Sequence, residues 1–440
     1  MLTLIKGGRV VDPGNLDGVM DLLVSDGKII EIRKKGEKKG SSPADGDHAF
    51  LNGEKLPIDQ VFDATGKIVM PGLMDMHVHL REPGYEYKET IETGCRAAAH
   101  GGFASICAMP DTNPVNDNRQ VAEFILKKAA ALDMVKVYPF AALSRGLNGD
   151  ILNEYGELKQ AGVIALTDNR PIRNSQFMRR ALEYAKGFGL LVISHCEDPD
   201  LSAGGVMNEG AIATQLGLSG IPNAAECVGV MRDIALCELT DSRLHIAHVS
   251  TKESVRAIQA AKGRGVKITA ATAPQYYTLS DNAVIGYNTH TKMNPPLRSR
   301  DDVQAIAQGL ADGTIDVIAS DHAPHSSIEK EVEFDLAADG IVGLETSVPL
   351  ALRLVEQGTL SLAGLVAKMA TNPARILGLE SGIRIGAPAD ITVIDLEKKY
   401  TVNSNNFQSL GRNTPFENRQ MQGRAVLTMV GGKVVYKHLN

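Results

Sequence analysis

The chain reads as an α/β protein, a (β/α)8 barrel of the TIM type joined to a small β-sandwich-like domain built from both chain termini. Three observations predict this. Eight apolar, strand-like runs recur through the middle of the 440 residues, at 74–79, 103–109, 135–141, 162–167, 190–195, 243–248, 266–271 and 315–320. Helical patterns stand between most of them, and repeated β-then-α units favour a closed parallel barrel over an open doubly wound sheet. The two ends of the chain share another style, short strands broken by turns.

Residues 1–66 alternate like strands at 4–5, 8–11, 20–24 and 28–32. The polar stretch 35–59, rich in Gly, Ser, Lys and Asp, reads as a loop or hairpin insertion. The barrel then occupies 67–387. Among its helices, 174–186 and 251–262 are the clearest, the second preceded by Ser250 with Glu253 three residues on, a capping-box spacing. Residues 388–440 return to strands at 390–395, 425–430 and 432–436, so 1–66 and 388–440 together form the composite β domain.

Composition narrows the function. A net charge of −6, 43% hydrophobic and 22% charged residues describe an ordinary globular chain. No basic patch interleaved with aromatics points to nucleic acid. No apolar run approaches the roughly 18–20 residues that span a bilayer, and the N-terminus lacks a signal-peptide layout. Five cysteines, an odd number with no CxxC pair, suit a reducing, cytoplasmic setting. No G-x-G-x-x-G or Walker A motif follows any strand.

Barrel chemistry gathers at the C-terminal ends of the strands. The first run ends in Asp75-Met-His77-Val-His79-Leu-Arg81. Strand residues i and i+2 face the same side, so two imidazoles point together with Arg81 following on the same parity. Later strand ends bring Asp168, His195, His248 and Asp321. Imidazole and carboxylate are the usual zinc ligands, and a carboxylate can bridge two ions about 3.5–4 Å apart. Asp321 is placed to take a proton from a water activated there and return it to a leaving nitrogen. Other residues have plainer readings. His245 is three from His248, the wrong parity for one strand face, and reads as structural. His322 reads as support for Asp321, and Cys107 and Cys196 as core thiols.

The motifs His77-Val-His-Leu-Arg-Glu-Pro-Gly84, Met109-Pro-Asp-Thr-Asn-Pro114, His195-Cys-Glu-Asp198, His248-Val-Ser-Thr251, Asn294-Pro-Pro-Leu-Arg298, Ser320-Asp-His-Ala-Pro-His325 and Asn372-Pro-Ala-Arg375 resemble those of bacterial dihydroorotases of the longer, type I class, in the amidohydrolase superfamily. The resemblance runs over essentially the whole chain. It implies reversible cyclisation of N-carbamoyl-L-aspartate to (S)-dihydroorotate in pyrimidine synthesis. It implies two Zn2+ per subunit, with His77, His79 and Asp321 at the first, His195 and His248 at the second, and Asp168 bridging. Asp321 would be the catalytic acid/base. His79, Arg81, Asn113, Asn294, His325, Asp339 and Gly340 would contact substrate, and a loop near 326–342 would cover it. A homodimer, and aspartate transcarbamoylase as a partner, also follow from the resemblance alone.

The chain departs from the family pattern in four places. Thr167-Asp-Asn169 stands where Asp-Asp-Gly is usual, read here as a retained carboxylate at 168 with Asn169 in place of a glycine that needs positive φ. Pro274-Gln-Tyr-Tyr277 lacks a histidine common after the proline, Asp339 precedes Gly340 where an apolar residue or proline is usual before the glycine, and 35–59 reads as an insertion. Two rival readings remain. A hydantoinase or allantoinase would bridge its metals with a carboxylated lysine, but the fourth strand end offers Asp168 and the nearest lysine, Lys159, precedes the strand. An inactive scaffold for aspartate transcarbamoylase should have lost ligands, and none of the six is missing.

Overall fold

The computed structural model describes residues 1–34, 48–51 and 54–438. Its middle is a ladder of short parallel strands. Leu73–Val78 pairs with Phe103–Ala108, which pairs with Lys136–Pro139. A parallel bridge from Ala141 to Leu166 carries the ladder to Ala165–Leu166. It continues through Leu191–Ser194, Leu244–Ile246, Ile268–Thr272 and Val317–Ile318. Just past that last strand, a parallel bridge between His322 and Val78 returns to the first. All eight expected strands are present in the expected order.

Two of them are cut to two residues, for local reasons. In the run 162–167, Gly162 turns at φ +97 and the Val163 N–H closes the preceding helix on the Leu158 carbonyl, which leaves Ala165–Leu166 as strand. In the run 315–320, the Ser320 N–H leaves the ladder for the Asp75 carboxylate, at 3.1 Å. Asp75 also accepts the His77 N–H at 3.0 Å. One buried carboxylate therefore ties the end of the first strand to the end of the last, and burial pushes it up to about 6. This tie fixes where His77 and Asp321 face each other.

The helix Ser175–Phe188 starts on Asn174, whose side chain accepts the N–H groups of Gln176 and Phe177. The helix Lys252–Gly263 is capped by Thr251, through the Ser254 N–H, and not by the expected Ser250. The Ser250 hydroxyl is taken by the buried Glu226 carboxylate, which also accepts the N–H groups of Ser250 and Thr251.

The two chain ends meet in one sheet. Its strand order is Lys433–Lys437, Gln420–Val430, Ile391–Thr401, Ile68–Pro71, Leu2–Asp12, Leu16–Ser25 and Lys28–Lys34, with Gln60–Asp63 paired in parallel to Leu2–Asp12. The strands of the expected β-sandwich-like domain are thus joined in one eight-stranded ladder. Its continuity comes from Ile68–Pro71, which pairs with Leu2–Asp12 on one side and Ile391–Thr401 on the other. Ile5, Val10, Leu22, Val69, Ile391 and Met429 pack in one buried cluster. Of the expected insertion, His48–Leu51 and Glu54–Pro57 form a two-stranded hairpin, and 35–47 and 52–53 lie outside the described residues. Among the described residues no helix is long and apolar enough to cross a membrane.

Candidate active site

The C-terminal ends of the parallel strands open into one cavity of about 320 Å³. His77, His79, Arg81, His195, His248 and Asp321 line it, and so do Asn294, His325, Asp339 and Gly340. Asp168 and Asn113, the two other expected site residues, do not. Asp111, Asn169 and Arg170, none of them assigned a role from sequence, do.

His77 and His79 project together as their two-residue spacing requires. Their ring nitrogens and one Asp321 oxygen all lie within 4.8 Å of one another, with His77 Nε2 3.5 Å from Asp321 Oδ1. Two imidazoles and a carboxylate form a donor set fit for a divalent cation. Burial, with the neighbouring His79, holds His77 well below the usual histidine range, so its imidazole is neutral. His79 is oriented by Asp111. Its Nδ1–H donates to the Asp111 carboxylate at 2.7 Å, which leaves Nε2 free to face the cluster. Burial alone would raise Asp111, but His79 and Arg81 outweigh it and hold that carboxyl well below the usual range.

His195 Nδ1 and His248 Nε2 face each other at 3.0 Å, and the His248 ring lies 5.2 Å from that of His77. Burial, with His195 and His77 nearby, keeps His248 neutral. His245 turns to the Thr269 hydroxyl at 2.8 Å, away from this pair. His322 packs between the Gly343 N–H and Glu89, as a support.

Asp321 has φ +54 and is buried at the centre of the site. Burial pushes it up to about 7, into the range useful for proton transfer near neutral pH. Gln275 Nε2 donates to its Oδ2 at 3.1 Å. Gln275 was visible in the sequence only as a missing histidine, yet it fixes which Asp321 oxygen stays available. Partners that orient a metal ligand are worth about 10–100-fold, so Gln275→Leu is expected to lower kcat by about tenfold or more. Steady-state kinetics with metal content held equal would test this, and an unchanged kcat would remove Gln275 from the site.

Arg81 takes φ +60, with Nε on the Pro324 carbonyl at 3.3 Å and Nη1 on Asp111 at 2.8 Å. The strand parity that placed it beside the histidines holds, although the left-handed turn at Arg81 itself is not legible from alternation. Opposite stands the loop after His325. His325 Nε2–H donates to the Asp339 carbonyl at 2.8 Å. Gly340 has φ +144, and a Cβ there would meet Ala323 at 2.7 Å, so only glycine fits. Two buried lysines hold this loop. Lys330 Nζ reaches the carbonyls of Ala338 and Gly340, and Lys292 Nζ those of Asp335 and Ala337.

Two of the expected site residues lie outside the cavity, while a neighbour in each motif lines it. Asp168 does not join the cluster. Its Oδ1 accepts the Ser144 N–H at 2.9 Å and its Oδ2 the Ser144 hydroxyl. The neighbouring Asn169 faces the cavity, with Nδ2 3.4 Å from His79 Nε2. Its φ is +49, the positive value anticipated for that position. Asn113 is exposed, its N–H on the Pro83 carbonyl, whereas Asp111 from the same loop reaches inside.

A family model described as dihydro-orotase-like matches residues 66–254. The dihydroorotase of Desulforapulum autotrophicum is 54% identical over 438 residues, covering 99% of this chain and 99% of that one. The dihydroorotase of Syntrophus aciditrophicus is 54% identical over 440 residues, covering 99% of this chain and 100% of that one. Among solved structures, the L-hydantoinase (dihydropyrimidinase) from Arthrobacter aurescens superposes with a TM-score of 0.86 at 25% identity, over 99% of this chain and 96% of that one.

Proposed function

The chain belongs to the dihydroorotase family, and from that premise we propose how its residues carry out a dihydroorotase reaction. The protein is a cyclic amidohydrolase of pyrimidine biosynthesis, interconverting dihydroorotate and N-carbamoyl-L-aspartate. The observation that carries the residue assignment is the convergence of His77, His79, Asp321 and Arg81 on one cavity. We read the closed cycle of parallel strands as a (β/α)8 barrel, expected over 67–387. The terminal sheet takes in 1–66, 388–440 and also Ile68–Pro71, so this separate domain extends to 71 and the barrel begins after it. Five free, buried cysteines support a cytoplasmic setting.

The metal is proposed to be zinc, held by His77, His79 and Asp321. When bound, it would supply Lewis acidity, polarising the ring carbonyl and lowering the pKa of water. The chain's own residues do the rest. Asp321 takes a proton from the attacking water as its oxygen bonds the ring carbonyl carbon. The carbon–nitrogen bond then breaks, and Asp321 returns the proton to the leaving nitrogen. Cyclisation is the same path reversed. Arg81 holds the ring carboxylate, with Nη1 anchored on Asp111 so that the guanidinium cannot swing away. Asn294 has a buried Oδ1 with no partner, and this is offered to a ring N–H. His325, Asp339 and Gly340 close the far wall.

Purified protein is expected to hydrolyse dihydroorotate, to lose that activity on dialysis against a chelator, and to regain it with Zn2+. Hydantoin and allantoin should be turned over far more slowly. The fourth strand end, Ala165-Leu-Thr-Asp-Asn-Arg170, carries no lysine to carboxylate. Hydantoin turned over faster than dihydroorotate would overturn the assignment.

A further inference from the structure

The fourth strand end offers the cavity a neutral amide where a metal bridge would need an anion. Asp168 is engaged elsewhere, and its partner is itself fixed, because the Ser144 hydroxyl accepts the Gly149 N–H at 2.8 Å. Swinging Asp168 inward would leave the buried Ser144 N–H without an acceptor. The other nearby carboxylates are also committed. Asp111 serves His79 and Arg81, at 2.7 and 2.8 Å. Glu197 accepts the Ser202 hydroxyl at 2.7 Å and approaches His195 from Nε2, the side opposite the facing pair of nitrogens. From this strand end Asn169 comes within 3.4 Å of His79 Nε2, and Arg170, a cation, also lines the cavity.

Two dications a few ångströms apart repel four times as strongly as two unit charges, and a bridging carboxylate normally offsets that repulsion. Here Asn169 brings no charge. His195 and His248 bring two ring nitrogens and no carboxylate. Resting on the reading of this centre as a divalent-metal site, we propose that the chain holds one cation tightly, at His77, His79 and Asp321. The His195–His248 position fills only at high free metal, because Asn169 stands where a bridging carboxylate belongs. The implied carboxylate-bridged zinc pair is thus not the resting centre of this chain.

The test counts metal without substrate. Full-length protein is loaded with Zn2+, gel-filtered free of excess, and analysed by plasma mass spectrometry. We expect one zinc per chain for the unaltered protein, two for Asn169→Asp and one for Asp168→Asn. Two zincs in the unaltered protein, a single zinc in Asn169→Asp, or metal loss in folded Asp168→Asn would each overturn the proposal. Should Asp168→Asn not fold, the unaltered protein loaded with Mn2+ still decides. An isolated-ion paramagnetic resonance spectrum supports the proposal, and an exchange-coupled pair sinks it. A chain with one zinc and no dihydroorotate hydrolysis would refute the substrate assignment only. An active chain with two retained zincs would refute this inference only.

Discussion

Asp321→Asn is expected to lower kcat for dihydroorotate by about 10²–10⁴-fold, the usual worth of a positioned acid/base. At about 1.4 kcal/mol per decade, that is a loss of about 3–6 kcal/mol of transition-state stabilisation. Asparagine keeps the shape, the Gln275 neighbour and an oxygen toward the histidines, but it can neither accept nor return a proton. His77 and His79 remain, so metal should be retained at least in part, and zinc content measured beside kcat separates loss of chemistry from loss of cation. A variant that keeps its metal and stays within about tenfold of the parent would show that proton transfer runs through another group. The geometry leaves few substitutes. His77 and His79 point their nitrogens at the cation position, and Asp111 is already paired with His79 and Arg81.

Much of this site was legible because strand geometry is regular. The i, i+2 rule places His77 and His79 on one face, and the parallel strand order gathers His195, His248 and Asp321 at the same end. The geometry departs from expectation where regularity stops. Asp168 and Asn169 follow a strand of two residues, and a positive φ at Asn169 breaks the alternation that parity reasoning needs. Which of the two faces inward is then decided by Ser144, 24 residues away, which no local pattern encodes. The Met109–Pro114 loop poses the same problem. Asp111 is drawn inside by His79 and Arg81, while Asn113 stays exposed on the loop. The Thr251 cap is similar, since Ser250 has every local qualification but is claimed by Glu226 from another helix. Gln275 was read as the absence of a histidine, and its contact with Asp321 is a tertiary fact.

The second large effect is expected at Arg81, where specificity and structure can be separated by choice of substitution. A charge-assisted hydrogen bond contributes about 1.5–3 kcal/mol, so losing a two-pronged contact should cost at least about 3 kcal/mol, or about 10²-fold in kcat/KM. Arg81→Met should show this loss mainly in KM, since the ring carboxylate is held in ground and transition states alike. Methionine also takes the cation away from Asp111, which has only 19% of its side chain exposed and keeps only His79 as a partner. That half-paired carboxylate should pull on His79 and lower thermal stability. Arg81→Lys avoids this confusion. Lysine keeps a positive charge beside Asp111 but lacks the planar fork. It should therefore restore stability while remaining at least about tenfold impaired toward dihydroorotate. The decisive comparison uses a cyclic amide with no ring carboxylate, such as hydantoin. If Arg81 reads that carboxylate, both variants lose dihydroorotate turnover and leave the slow hydantoin rate nearly unchanged. Equal losses on both substrates would mean that Arg81 acts through Asp111 on the orientation of His79, and that the carboxylate is recognised elsewhere, with exposed Arg170 at the cavity wall the first place to look.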